Sequence, residues 1–298
     1  MIIDLRYHVV SLVAVFLALG LGIIIGANLG VSANPHFEKQ IGQLEQTYQK
    51  IRDDQKLLQA SLQVKDNEID IANQFQKAIV PNLITNRLIG KRIAIIRTTP
   101  SVDFKYAKRL VNLLRQAGAE VTSITTFTKT IDVADAQLKN EILDAFDLPA
   151  TEVDKNLVQH VDNKLAQIIV NGQGSSQLIF LQNKDLIQLW GDYNRGYVDT
   201  IVFLGGSMNP EGNHQIDIDQ PLLEAFYNTR VAKIGVEPSF VTESYMHLYQ
   251  SKCQGTVDNV DTPPGEVTLV YLLASGKRGY YGIKDTARVF IPEFKLNY

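Results

Sequence analysis

Three residues that could bind a soft metal ion lie close together near the C-terminal end of the sequence. They are Met246, His247 and Cys253, and the first and last would share one face of a continuous helix. Thioether, imidazole and thiolate groups suit monovalent copper. The sequence favours the alternative of a core methionine, a buried free cysteine and a surface histidine. Since Cys253 is the only cysteine, an intrachain disulfide and a closed cysteine-rich zinc site are excluded.

Glycine-rich loops are the next candidates for a binding site. Gly205, Gly206 and Ser207 follow an apolar run and could hold an anion on backbone N–H groups, although a tight turn is the favoured reading. The loop at 171–176 is predicted to be a linker and helix cap. No dinucleotide-binding glycine motif, phosphate loop or nucleophile elbow occurs in the sequence. We therefore expect a protein that is not an enzyme.

Residues 256–266 form the most distinctive segment of the chain. Asp258, Asn259 and Asp261 can accept hydrogen bonds from nearby backbone, and Pro263 suits the first turn of a helix. The two aspartates could also present carboxylates to a cation. We favour turn formation and helix capping.

The elements that position these residues follow from the apolar pattern. Buried strands are predicted at 91–97, 121–127, 198–204 and 231–236, and helices at 101–116, 134–146, 151–169, 177–190, 222–229 and 267–273. This order predicts an α/β domain over residues 90–298 with a Rossmann-like, doubly wound parallel sheet. Ligands of such sheets bind beyond the carboxyl ends of the strands. Here those loops are 97–101, 205–210 and 237–240.

The N-terminal residues 1–30 are predicted to be a transmembrane anchor. Residues 9–29 contain no charge, which is about the length that a membrane-crossing helix needs. A cleaved signal peptide is the alternative, with a small-residue site at 31–33, but its apolar region is usually shorter. Arg6 precedes the helix, and the next positive residue is Lys39. The N-terminus is therefore predicted to be cytoplasmic, and the C-terminal domain to lie outside the cell membrane that this single pass crosses.

Small residues repeat at every fourth position of this helix. Such a face lets two helix backbones approach closely in lipid, so it predicts self-association, although glycine and alanine are also common in membrane helices. The residues are Ala14, Ala18, Gly22, Gly26 and Gly30.

Residues 35–80 are predicted to form a long coiled-coil helix, or stalk. Apolar residues recur at alternating intervals of four and three, which is the heptad pattern. The predicted core positions are Phe37, Ile41, Leu44, Tyr48, Ile51, Leu58, Leu62 and Ile69. Gln55, Lys65 and Gln76 interrupt this seam. We expect a parallel oligomer, most simply a dimer; the alternative is an amphipathic helix folded back on its own α/β domain.

Both ends of the sequence resemble the copper transport protein B family, also called the SteB-like envelope proteins. The N-terminal part of the resemblance is residues 5–8 and 11–19. The C-terminal part is the family signature at Asp258, Asn259, Asp261, Pro263 and Gly265, followed by 281–282 and 291–292. The resemblance covers nearly the whole chain, including the stalk.

The resemblance implies an outward-facing envelope protein linked to copper homeostasis, with copper as the one cofactor it suggests. It also implies a SteA-like membrane protein as partner, and it transfers no ligand residues. One helix cannot enclose a polar path through lipid, so literal transport would need several copies. Two functions remain open, namely copper handling and a scaffold for envelope partners. A net charge of −3 without a basic stripe argues against nucleic acid as a partner.

Overall fold

The computed structural model describes residues 5–31, 35–149 and 156–293, with the backbone alone for residues 5, 28–31 and 35–38. The chain divides into two units, Met1–Asn73 and Gln74–Tyr298.

Helices α1 (Leu5–Val31) and α2 (Pro35–Ile84) account for the first unit, and α2 continues into the second. Within α1, the segment Arg6–Ala27 has 22 residues and a mean hydropathy of 2.8, and it is the one span in the described residues that is long and apolar enough to cross a membrane. Leucine, isoleucine and valine make up half of this span, and such side chains suit a hydrocarbon environment.

Helix α2 extends past residue 80, where the stalk helix was predicted to end. Pro81 lies inside the helix, which stops at Ile84. Proline lacks the N–H that would bond to the preceding turn and normally breaks a helix. Here Ile84 and Leu88 are fully buried in the hydrophobic core of the second unit. Their burial favours one further turn of helix despite the lost hydrogen bond.

The second unit is a seven-stranded sheet in the order β3-β2-β1-β4-β5-β6-β7. The strands are β1 (Arg92–Arg97), β2 (Glu120–Phe127), β3 (Ile187–Gly191), β4 (Thr200–Leu204), β5 (Ala232–Val236), β6 (Gly255–Val257) and β7 (Gly279–Tyr281). All neighbouring pairs are parallel except β2 with β3. The predicted α/β class and doubly wound order are therefore confirmed, with an antiparallel edge strand added.

Helices cover both faces of the sheet. They are α3 (Phe104–Gln116), α4 (Ala136–Phe146), α5 (Leu157–Asn171), α6 (Ser176–Asn183), α7 (Gln220–Ala225), α8 (Met246–Lys252) and α9 (Pro263–Ser275). Along β1, Ala94 and Ile96 join the core that contains α4 to α8, while Ile93 and Ile95 join the core that contains α3 and α9. Burial on both faces explains why this strand is a continuous apolar run.

The prediction of one helix over 177–190 was wrong. Helix α6 ends at Asn183, and Asp185 adopts a left-handed backbone with φ of 55°. The chain then turns back as β3, in which Trp190 pairs with Ile124 of β2. Only Ile187 of β3 is buried, and Gln188 and Gly191 are exposed, as expected for an edge strand that is covered less than the central strands. Sequence pattern alone could not separate this short strand from the apolar end of the preceding helix.

Candidate functional site

Strands β1 and β4 form the topological switch point of the sheet. The chain passes from β1 to β2 on one side, and β4 pairs with β1 on the other. In doubly wound sheets a crevice at this point is the usual ligand position. The loops after β1, β4, β5 and β6 lie at the same end of the sheet, beyond the carboxyl ends of these strands, because the strands are parallel. The side chains in those loops are therefore the first candidates for a ligand-binding site.

The loop after β1 is closed by its own arginine. Arg97 is buried, and its guanidinium donates to the carbonyl oxygens of Val102 (3.1 Å) and Pro100 (3.0 Å). Burial lowers the pKa of Arg97, an effect that the nearby Asp103 carboxylate opposes. The arginine thus binds backbone within its own loop instead of pointing at a ligand.

The glycine pair after β4 makes a tight turn. Gly206 has a φ of 85°, which only glycine adopts without strain. A Cβ added to Gly205 would lie 2.0 Å from the Tyr249 hydroxyl, so this position also permits a close approach. The N–H of Ser207 donates to the carbonyl of Glu243 (2.9 Å). This N–H is already used within the protein, which supports the turn over an anion site.

Glu237, directly after β5, is a fully buried carboxylate that hydrogen-bonds both to the residues at the start of α8 and to the C-terminal segment. It accepts hydrogen bonds from the Ser244 hydroxyl (2.6 Å), the Tyr245 N–H (2.9 Å) and the Lys284 ammonium (2.6 Å). Burial raises the pKa of Glu237, and the Lys284 charge opposes that rise. The network fixes the start of α8 against the C-terminal segment.

The signature segment after β6 is a second junction of this kind. Asp258 accepts from the N–H groups of Ile283 (2.7 Å) and Lys284 (3.1 Å). Asp261 accepts from the N–H (2.6 Å) and the hydroxyl (2.8 Å) of Ser239. The carboxylates of the signature are engaged by the protein itself, which supports turn formation over cation binding.

The end of the signature starts helix α9. The Thr262 hydroxyl accepts from the Gly265 N–H (3.3 Å), and proline occupies the first turn, as the sequence predicts. Gly265 is required by close packing, because an added Cβ would lie 2.0 Å from the carbonyl oxygen of Asn259. Within the described residues, the Asn259 side-chain oxygen is buried without a hydrogen-bond partner.

Asp219 is the buried acid that sequence reasoning missed. It is fully buried, and its Oδ1 accepts from the hydroxyls of Thr98 (3.0 Å) and Tyr249. Its Oδ2 has no partner among the described residues. Burial raises the pKa of Asp219 to about 7, and the two hydroxyl donors oppose the rise. The only sequence signal was an acid that immediately precedes the apolar segment of α7.

The three soft-ligand candidates do not point into one site. Met246 and Cys253 are buried in the hydrophobic core, whereas His247 is exposed. Helix α8 ends at Lys252, so Cys253 lies just beyond it. Burial raises the pKa of the Cys253 thiol, which keeps it protonated and a poor metal ligand. In the described ranges, no group of three or more histidine, cysteine, aspartate or glutamate residues is arranged to hold a metal.

The stalk helix exposes its predicted heptad positions. The described heptad residues of α2 are each more than half exposed in the single chain. They are Ile41, Leu44, Tyr48, Ile51, Leu58, Leu62 and Ile69. Lys65, which interrupts the seam, pairs with Glu68 of the same helix (2.6 Å). The side chain of Phe37 lies outside the described residues.

The small-residue face of α1 is equally open. Ala14, Ala18, Gly22 and Gly26 are exposed, and no atom lies within 4 Å of a Cβ added to either glycine. Gly30 is helical, but its surroundings lie outside the described residues, as do residues 32–33 of the alternative cleavage site at 31–33.

A family comparison covers nearly the whole sequence. The family described as "Copper transport outer membrane protein, MctB" matches residues 2–292. A protein named Copper transporter MctB from Mycobacterium tuberculosis is 24% identical over 311 residues, covering 94% of this chain and 96% of its own length. The Mycobacterium leprae protein of the same name is 24% identical and covers 98% of this chain and 100% of its own.

One solved structure also aligns with part of the chain. MurG from Acinetobacter baumannii covers 56% of this chain and 40% of its own, with 10% identity and a TM-score of 0.29. A score this low supports no argument about fold or function.

Proposed function

Because this chain belongs to the family of copper transport outer membrane proteins described as MctB, we propose that it acts in copper homeostasis as a membrane-anchored envelope protein. The family match over residues 2–292 is the observation that carries the proposal, since it includes the anchor, the stalk and the α/β domain. Relatives that align along almost their full length are named copper transporters. Copper is the cargo in this proposal, not a resident cofactor.

We propose a single pass with the N-terminus in the cytoplasm. The apolar span Arg6–Ala27 supports the anchor, because 22 helical residues reach across the roughly 30 Å hydrocarbon core. Arg6 at its start, with no further positive residue before Lys39, supports the orientation. The α/β domain would then lie outside the cytoplasmic membrane.

Thiol labelling in intact cells tests this orientation. Asn140 is exposed on α4, and we expect Asn140→Cys to react with a membrane-impermeant maleimide without lysis. The wild-type chain is the matched control, because its one cysteine, Cys253, is buried and should stay unlabelled. Labelling of the variant that appears only after lysis would place the domain in the cytoplasm.

A single helix sets a limit on the mechanism. Polar groups and ions in lipid must be satisfied within the protein, and one helix cannot surround them. The small-residue face of α1 would bury backbone contact between helices instead of lining water. We therefore propose that the protein supports copper export as part of an assembly.

Deleting the gene tests the copper role. We expect the deletion strain to hold more cell copper and to stop growing at a lower copper concentration than its parent, and we expect the wild-type gene to restore both. Cell copper is measured by elemental analysis, with zinc as the control metal. Equal copper content and equal tolerance in the two strains would exclude the proposal.

A second candidate function is a non-catalytic scaffold that recruits envelope or division partners. The exposed heptad surface of α2 favours it, because this surface needs a partner helix to be covered. The partners we propose are further copies of this chain and a SteA-like membrane protein. A deletion strain with normal copper tolerance but a defect in cell separation would favour this function over copper handling.

A further inference from the structure

A cleft of about 290 Å³ opens at the amino ends of the strands, at the end of the sheet opposite the switch-point loops. One wall is helix α5, and the other is the single-turn helix at Phe226–Thr229 that precedes β5. Tyr197, in the segment before β4, lies between them. The cleft is therefore at the amino ends of β4 and β5, away from the filled network around Glu237.

The lining of this cleft is uncharged and mostly polar, with Val170 and Ala225 as its aliphatic residues. Side-chain amides come from Asn163, Gln167, Asn171 and Asn228, and a hydroxyl comes from Thr229. No lining residue is acidic, basic, histidine, cysteine or methionine. That composition gives an anion no positive partner and gives a copper ion no soft ligand. An apolar ligand would have to desolvate the amides without replacing their hydrogen bonds.

The amides are also arranged regularly. Asn163, Gln167 and Asn171 are four residues apart on one face of α5, so their Cα atoms rise by about 6 Å per step. Among the described residues, the side chains of Gln167, Asn171 and Asn228 make no protein hydrogen bond, and Asn163 accepts one from Gln159 (3.3 Å). Each amide offers both donors and an acceptor, which matches hydroxyl groups that also do both.

Tyr197 completes the cleft with an aromatic surface. It is half exposed, and its hydroxyl has no hydrogen-bond partner in the described part of the chain. A tyrosine ring packs against apolar C–H surface while its hydroxyl remains available for a hydrogen bond. A pyranose ring presents both features, with C–H groups on its faces and hydroxyls at its rim.

From this chemistry we propose that the cleft is a binding site for a neutral saccharide. Gln167 and Asn228 bind ring hydroxyls from opposite walls, and Tyr197 stacks on the sugar face. The proposal goes beyond copper handling and does not depend on it.

The test is calorimetric titration of the full-length chain in a detergent without a sugar headgroup. Chitotetraose and cellotetraose are the probes, and they distinguish acetamido-bearing glycans from plain hexose glycans. We expect saturable binding of at least one probe. We expect Gln167→Ala and Asn228→Ala each to weaken it about fivefold to tenfold, and Tyr197→Phe to retain it better than Tyr197→Ala.

The matched control is Gln182→Ala, which removes an exposed amide on α6 outside the cleft and should bind like the wild type. All four changed residues are on the surface, so thermal unfolding should show the fold intact. Lack of saturable binding by both probes would overturn the proposal. Binding that survives both Gln167→Ala and Asn228→Ala would overturn it equally, because the sugar would then sit elsewhere.

Discussion

Replacing both Leu58 and Leu62 with aspartate is expected to convert the proposed stalk oligomer into monomers. These leucines are 59% and 55% exposed in the single chain and adjacent in the heptad seam, so a partner helix must cover them if the stalk associates. Burying one leucine contributes roughly 1.5–3 kcal/mol. For the four leucines of a dimer, each a little over half exposed before association, the loss is about 3–7 kcal/mol, which corresponds to an increase in Kd of roughly 10²-fold to 10⁵-fold. Two buried carboxylates per chain add to this loss.

Sedimentation of a soluble fragment that begins at Asn34, across a concentration series, measures the effect. The matched control is Leu57→Asp with Val64→Asp, which places the same charges on exposed apolar residues outside the seam (75% and 56% exposed). We expect this control to remain associated. Gly22→Leu with Gly26→Leu in the full-length chain should weaken association only modestly, because glycine contacts in lipid lack the hydrophobic contribution. A wild-type fragment that stays monomeric at high concentration would contradict the coiled coil.

The second large expected effect is a loss of stability as the pH rises from 4 to 7. The folded state raises the pKa of Asp219 from 3.8 to about 7, so the native protein holds a proton that the unfolded chain releases. This contribution to stability is complete below pH 4 and is lost as pH rises through 7. A pKa difference of about 3 between the folded and unfolded states corresponds to as much as about 4 kcal/mol in the free energy of unfolding. Asp162, whose pKa burial raises to about 8, acts in the same direction.

The neighbours of Asp219 do not titrate in this range. Burial raises the pKa values of Tyr245, Tyr249 and Cys253, which therefore stay neutral between pH 4 and 8. The variant Asp219→Asn mimics the protonated acid and should remove the share of the slope between pH 4 and 7 that Asp219 contributes, while the share from Asp162 remains. Urea unfolding followed by the one tryptophan, Trp190 in β3, reports on the domain without interference from the stalk. A variant that keeps the wild-type slope would show that Asp219 does not carry the effect.

The sheet was predictable where burial leaves a strong local pattern. Strands β1, β2, β4 and β5 are buried on nearly every residue and were predicted to within two residues at each end. Strands β6 and β7 have three residues each, too few for any periodicity, and they were missed. Their pairing depends on the signature segment and the C-terminal loop, which meet only in the folded chain.

The hydrogen bonds at the carboxyl ends of the strands were predictable only where donor and acceptor are close in sequence. The cap at Thr262 is local, with donor and acceptor three residues apart, and its sequence signal is direct. The partners of Asp219, by contrast, are Thr98 and Tyr249, which are 121 and 30 residues away. Such pairs form only when the segments after β1, β4 and β5 converge, and no single-sequence pattern encodes that convergence.

The most direct test asks whether copper handling requires assembly through the stalk. The deletion strain is complemented with the wild-type gene, with the Leu58→Asp, Leu62→Asp variant, or with the Leu57→Asp, Val64→Asp control, at equal membrane levels. Growth is then measured across a copper series. We expect the wild type and the control to restore copper tolerance and the seam variant to fail to restore it. Full tolerance with the seam variant would contradict the claim that this protein handles copper as a stalk-assembled oligomer.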